Sequence, residues 1–141
     1  MTLLVDSDFV IDGLKGIVQA NFTLDRLARN GLAVSTITLG EVLDGAHRGP
    51  DSETLVAAVW VFLEGYEILP VTSPVAEVFA RRRSSLRQIG KMIADMDILI
   101  AATAIAHDLT MLTRNRRHFE RVPGLRLYDD GQRSFGTTPS E

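Results

Sequence analysis

Three acids, far apart along the chain, are the residues whose types and placement suggest chemistry. Asp6 ends the apolar run Leu3-Leu4-Val5, Glu41 comes soon after Leu32-Ala33-Val34-Ser35, and Asp97 opens the apolar stretch that starts at Ile98. Asp95 lies two positions before Asp97, and Thr113, Arg114 and Asn115 close the run that starts at Leu109. Carboxylates gathered in one place repel one another, and each tends to gain a proton. A bound divalent cation removes that penalty. Hard oxygen donors suit Mg²⁺, with Mn²⁺ as the alternative. Such an ion acidifies a water and offsets charge building on a phosphate. Each acid also has a plain structural use. Asp6 suits the start of a turn, Asp95 a helix N-cap with Asp97 in the first turn, and Glu41 a solvated helix face. Their joint placement after strands is what points to a site.

The positioning elements follow from periodicity. Residues 3–5 form a short apolar run bounded by polar residues, as a buried strand does. Residues 17–30 carry helical spacing stopped by Gly31. Residues 32–35 read as a second strand, and residues 39–43 as a helix that carries Glu41. Gly49-Pro50-Asp51 is a break. A helix is expected over 53–64, a strand over 67–71, and a helix over 74–89 that carries Arg81-Arg82-Arg83. Residues 98–106 are apolar almost all round, which places that helix in the interior. Strands are expected at 109–113 and 125–128. Alternating strands and helices predict an α/β fold, a mostly parallel five-stranded sheet covered on both faces. Function in such sheets gathers beyond the carboxyl ends of the strands, where the acids fall. Residues 1–130 are expected to form one domain and 131–141 a polar, flexible tail.

Composition narrows the classes. The chain has 141 residues and no cysteine, which excludes disulfides, zinc–thiolate sites and thiol nucleophiles. Its net charge of −3 conceals a division. Residues 1–80 hold four Lys/Arg and eleven Asp/Glu, and residues 81–141 hold eleven and seven. Summed charge therefore gives no reason to expect nucleic-acid binding, whereas a local basic surface would suit phosphates. The first residues lack the pattern of a secretory signal, and no run reaches the roughly 20 apolar residues of a membrane span. A cytoplasmic protein is expected.

At these residues the sequence resembles the PIN domain, and within it the VapC toxins of bacterial toxin–antitoxin pairs. The matching stretches are LVDSDFVID from Leu4, STITLGEV from Ser35, DILIAATA from Asp97 and LTRNRRHFERVPGL from Leu112. They occur in the family's order and span nearly the whole chain. The resemblance implies a three-layer α/β/α PIN-like domain that cleaves RNA with Mg²⁺. It also implies a homodimer and a cognate, VapB-like antitoxin that inserts a segment near the site. Asp6, Glu41 and Asp97 fall on the family's acidic triad. Ser7 and Asp8 fall where many members carry Thr or Ser and then Asn or Asp, and Thr113 and Asn115 match the polar pair after the fourth strand. His118 stands where many members carry a fourth acid, so one well-held metal is expected rather than two. Ser7, Asp95, Thr113 and Asn115 are the expected outer supports of the triad.

Arg114, Arg116 and Arg117 lie beside Asn115 and are candidates to grip RNA phosphates, since guanidinium matches phosphate geometry. Two other readings of the acids stand beside the nuclease. One is a haloacid dehalogenase-like phosphatase, because Asp6-Ser7-Asp8 after an apolar strand fits its nucleophile motif. That fold needs an acidic pair before its end, and Asp129-Asp130 comes only after the last expected strand. The other is a non-catalytic PIN module that binds RNA or protein, against which the retention of all three acids argues.

Overall fold

Alternation along the central strands builds a core on each face of the sheet. In β1 (Leu3–Val5), Leu3 and Val5 enter one apolar cluster with Phe9, Val10 and Leu24, while Leu4 enters another with Leu86, Ile98 and Ile100. In β2 (Leu32–Ser35), Leu32 and Val34 join the first cluster and Ala33 the second. Successive side chains of a strand point to opposite faces, so a strand apolar at every position must be covered on both. The structure, a computed structural model, describes residues 2–129. The tail expected at 131–141 lies outside the described residues.

The other strands are β3 (Glu67–Leu69), β4 (Thr110–Leu112) and β5 (Arg126–Leu127). All pairings are parallel, in the order β3-β2-β1-β4-β5. Seven α-helices occur among the described residues: α1 (Ser7–Leu14), α2 (Val18–Leu27), α3 (Thr36–His47), α4 (Ser52–Phe62), α5 (Ser73–Gln88), α6 (Asp95–Ala106) and α7 (Arg116–Phe119). The expected α/β architecture with a five-stranded parallel sheet is what the chain adopts. From β1 the chain builds outward through β2 and β3, then returns to place β4 on the other side of β1. The carboxyl ends of β1 and β4 therefore flank the switch in strand order, the crevice where such sheets bind ligands.

Local rules set the boundaries. Gly31 has a φ of 88°, a left-handed conformation that ends the turn Ala28–Asn30 after α2, and its carbonyl accepts from Leu3 N at 2.9 Å. Ser35 caps α3 by accepting from Thr38 N, and Thr72 caps α5 by accepting from Val75 N. One expectation needs correcting, and one element is new. Ala94, not Asp95, is the N-cap of α6; Asp95 is its first helical residue and pairs with Arg83 of α5 at 2.8 Å. The one-turn helix α7 was not expected, because four residues are too few to show a period. Among the aromatic residues, Phe9 is fully buried, Phe62 and Phe79 pack partly buried against the cores, and Trp60 is exposed. No helix among the described residues is long and apolar enough to cross a membrane.

Candidate active site

The site begins where β1 ends. Asp6 is 6% exposed, and its own N–H donates to Leu112 O at 2.9 Å, which ties it to the neighbouring strand. It is the N-cap of α1, with Oδ1 accepting from Ser7 N at 2.8 Å. Its Oδ2 accepts from Thr113 Oγ1 at 2.7 Å. Thr113 follows β4, so this bond crosses the switch point. The same hydroxyl lies 3.3 Å from Asp8 Oδ2 and accepts from Asn115 N at 3.0 Å. Thr113 thereby fixes two carboxylates and the turn that carries Asn115.

These hydrogen bonds do not fully compensate the buried charge. Burial, then the Asp8 carboxylate and to a lesser degree Asp97, push Asp6 up to about 7, against the lowering effect of the bonds from Thr113 and Ser7. Asp8 is also raised by burial. Bonds from Arg114 N at 2.9 Å and Phe9 N at 2.7 Å, the Thr113 hydroxyl and the Arg114 charge hold that rise back.

Glu41 and Asp97 come from the other elements around the crevice. Glu41 is half-buried on α3 and accepts from Ser7 Oγ, which also approaches Thr38 Oγ1 at 3.4 Å. Asp97 sits in the first turn of α6, where the helix dipole favours an anion. Burial and then the Glu41 carboxylate raise its pKa; His118 acts the other way, and Asp8 adds a smaller rise. His118 Nδ1 lies 2.8 Å from Asn115 Nδ2. Asp6, Ser7, Asp8, Glu41, Asp97 and Asn115 all line one open cleft of about 560 Å³.

The donor set fits a hard divalent cation. It is all oxygen, negatively charged, and contains a carboxylate, Asp6, that burial and then the Asp8 charge make proton-hungry. Among the described residues no three His, Asp or Glu side chains stand close enough to form a ready-made cage. Mg²⁺ does not need one, since it keeps several waters and takes only one or two carboxylates directly.

The structure separates the remaining candidates. Asp95, paired with Arg83, is not among the cleft-lining residues. Arg114 stacks over the Phe9 ring at 4.4 Å and pairs with Asp12 at 3.3 Å, and Arg116 donates to Tyr128 O at 2.7 Å. These contacts give both a structural role; Arg114 and Arg117 are exposed and Arg116 is half-buried. Sequence reasoning missed Asp44 and Arg48, which line the cleft as an exposed pair 3.3 Å apart. The signal was helical spacing: Glu41, Asp44 and Arg48 step by three and four residues along one face of α3 and its C-cap.

Comparison with known proteins agrees with this geometry. A family model for the PIN domain matches residues 3–125. Ribonuclease VapC19 of Mycobacterium tuberculosis is 35% identical over 124 residues, covering 86% of this chain and 95% of that protein. Ribonuclease VapC2 of Rickettsia felis is 33% identical over 105 residues, covering 74% and 78%. Among solved structures, VapBC2 from Rickettsia felis bound to a DNA fragment from its promoter matches with a TM-score of 0.85 and 28% identity, covering 91% of this chain and 98% of that one. The phosphatase alternative is set aside by these matches. With four acids and Thr113 gathered at the strand switch point and a family match along nearly its whole length, the chain belongs to the PIN-domain family, in its VapC branch.

Proposed function

We propose that this chain is a metal-dependent endoribonuclease that acts as the toxin of a toxin–antitoxin pair. The observation that carries the reading is the cleft at the carboxyl ends of β1 and β4, which Asp6, Glu41 and Asp97 all line although the first and last stand 91 positions apart in the chain. Asp6, Glu41 and Asp97 would hold Mg²⁺, or Mn²⁺, directly or through water. The ion supplies activation of a water and neutralisation of charge on the scissile phosphate. The chain's own part is positional. Ser7 and Thr113 hydrogen-bond Glu41 and Asp6, the α6 N-terminus favours an anion at Asp97, and Asn115, tied to His118, forms part of the cleft wall. Arg117 is the arginine free of the structural contacts that hold Arg114 and Arg116, and it would meet RNA phosphates.

Control by an antitoxin fits the surface beside the cleft. An apolar groove of about 380 Å³ runs between α1, α3 and α4, lined by Ile11, Leu14, Val42, Leu55 and Val59, and it reaches Glu41. We assign it to the antitoxin's inserted segment, whose apolar side chains would fill it while its end obstructs the acids. A VapB-like antitoxin, a homodimer and a cytoplasmic setting complete the proposal.

Mapping both ends of cleaved RNA in total RNA after induction tests it. Attack by water leaves a 5′ phosphate and a 3′ hydroxyl, and Asp97→Asn should produce no new ends. A 2′,3′-cyclic phosphate would show that the ribose hydroxyl, rather than water, is the nucleophile.

A further inference from the structure

A second, smaller pocket opens on the far side of Glu41 from the apolar groove. It measures about 250 Å³ and lies between the first turns of α3 and the start of α6, with Thr36, Ile37, Gly40 and Met96 forming its walls and Glu41 and Asp44 its shared edge with the acidic cleft. Drug-sized ligands occupy pockets of roughly 300–1,000 Å³, so this volume suits a single ring system. Met96 is 53% exposed although it neighbours Asp97, and a Cβ built on Gly40 would meet no atom within 4 Å. One wall is thus a polarizable thioether and another is bare backbone, both suited to the face of a flat heteroaromatic ring.

We propose that this pocket is a base-specificity subsite, in which Asp44 reads an unpaired guanine next to the phosphate that is cut. The inference rests on the ribonuclease reading and deepens it. Charge decides which part of RNA enters. Glu41 and Asp44 repel a phosphate, whereas a base can offer them N–H donors. RNA is read in sequence mainly through splayed, unpaired bases hydrogen-bonded on their Watson–Crick edges. Guanine presents two adjacent donors there, N1–H and N2–H, which match the two oxygens of a carboxylate. Adenine and cytosine each pair one donor with an acceptor, and uracil flanks its single donor with two carbonyls. Asp44 is available for this contact. Only its Oδ2 approaches Arg48 Nε, at 3.3 Å, and both side chains are about 70% exposed, so solvent screens the pair. Because Asp44 lines both cavities, a base held here lies directly beside the catalytic acids.

The test is cleavage of a randomised single-stranded RNA pool, with both product ends sequenced, by wild type, Asp44→Asn and Met96→Ala. Wild type should favour guanine at one position flanking the cut. Asp44→Asn exchanges an acceptor pair for one acceptor and one donor, the pattern that suits adenine, and should move the guanine-to-adenine ratio at that position by about tenfold. Met96→Ala should weaken the preference without changing its identity. Retention of the wild-type preference in Asp44→Asn, or an absence of guanine preference in wild type, overturns the proposal and leaves the nuclease intact. Unchanged preference together with lost binding of antitoxin or of a second copy assigns the pocket to a protein and also overturns it. A wild type that cuts no RNA at all removes the nuclease reading and this subsite with it.

Discussion

Asp97→Asn should lower RNA cleavage by about 10²–10³-fold or more, because it weakens the hold on the cation that would offset transition-state charge, with little change in melting temperature. The substitution keeps the shape of the side chain and removes one negative charge. Two opposing effects on stability then nearly cancel. The α6 N-terminus loses a favourable anion, about 0.3–1 kcal/mol. Repulsion from Glu41 and Asp8, which together with burial raises the Asp97 pKa, is relieved. Activity falls because the site loses a third of the charge proposed to hold the cation. Cleavage of a single-stranded RNA, measured beside a thermal melt, checks both halves. Activity within a few-fold of wild type would remove Asp97 from the chemistry, and a collapsed melt would make its role structural.

With divalent ions chelated, the protein should become more stable as pH falls from 8 to about 5. The sign follows from Asp6. Its carboxyl titrates at about 7 in the fold against 3.8 in a model compound. Between those values the folded chain binds more protons than the unfolded one, so the free energy of unfolding declines as pH rises, and the penalty is complete above about 7. A shift of about three units at about 1.4 kcal/mol each makes the cost about 4 kcal/mol at most. Asp8 and Asp97, both raised, act in the same direction. Asp6→Asn should flatten much of this dependence. The amide oxygen can keep the cap to Ser7 N while its NH₂ donates to Thr113 Oγ1, whose proton turns to Asp8. Added Mg²⁺ should raise the melting temperature at pH 8 and much less at pH 5.5, because the ion replaces the protons. Stability that rises from pH 5 to pH 8 in chelator would contradict the electrostatic account of the site.

Much of this was legible in the sequence, for a physical reason. β1, β2 and β4 are apolar at nearly every position because both faces are covered, and an ionised group such as Asp6 is left to the strand end, where hydrogen-bond donors can meet it. Topology then brings Asp6 and Thr113 together without any local signal at either. Features set by tertiary contact were hidden. Arg114 and Arg116 stand beside Asn115 as candidates to grip phosphate, and nothing local announced the contacts that hold one to Phe9 and Asp12 and the other to the Tyr128 carbonyl. Asp95 read as a cap or an outer support of the metal, but a salt bridge to Arg83, twelve residues earlier, engages it. Asp44 and Arg48 were visible only as helical spacing from Glu41, and nothing in the sequence marked that face as the wall of a cleft.

Anomalous diffraction from crystals of this chain grown with Mn²⁺ tests the central claim most directly. The account predicts one strong peak in the cleft bounded by Asp6, Glu41 and Asp97, with at least one of these carboxylates about 2.0–2.2 Å from the ion and the others reaching it through water. A fully occupied ion elsewhere, or no peak in that cleft at saturating Mn²⁺, would contradict it.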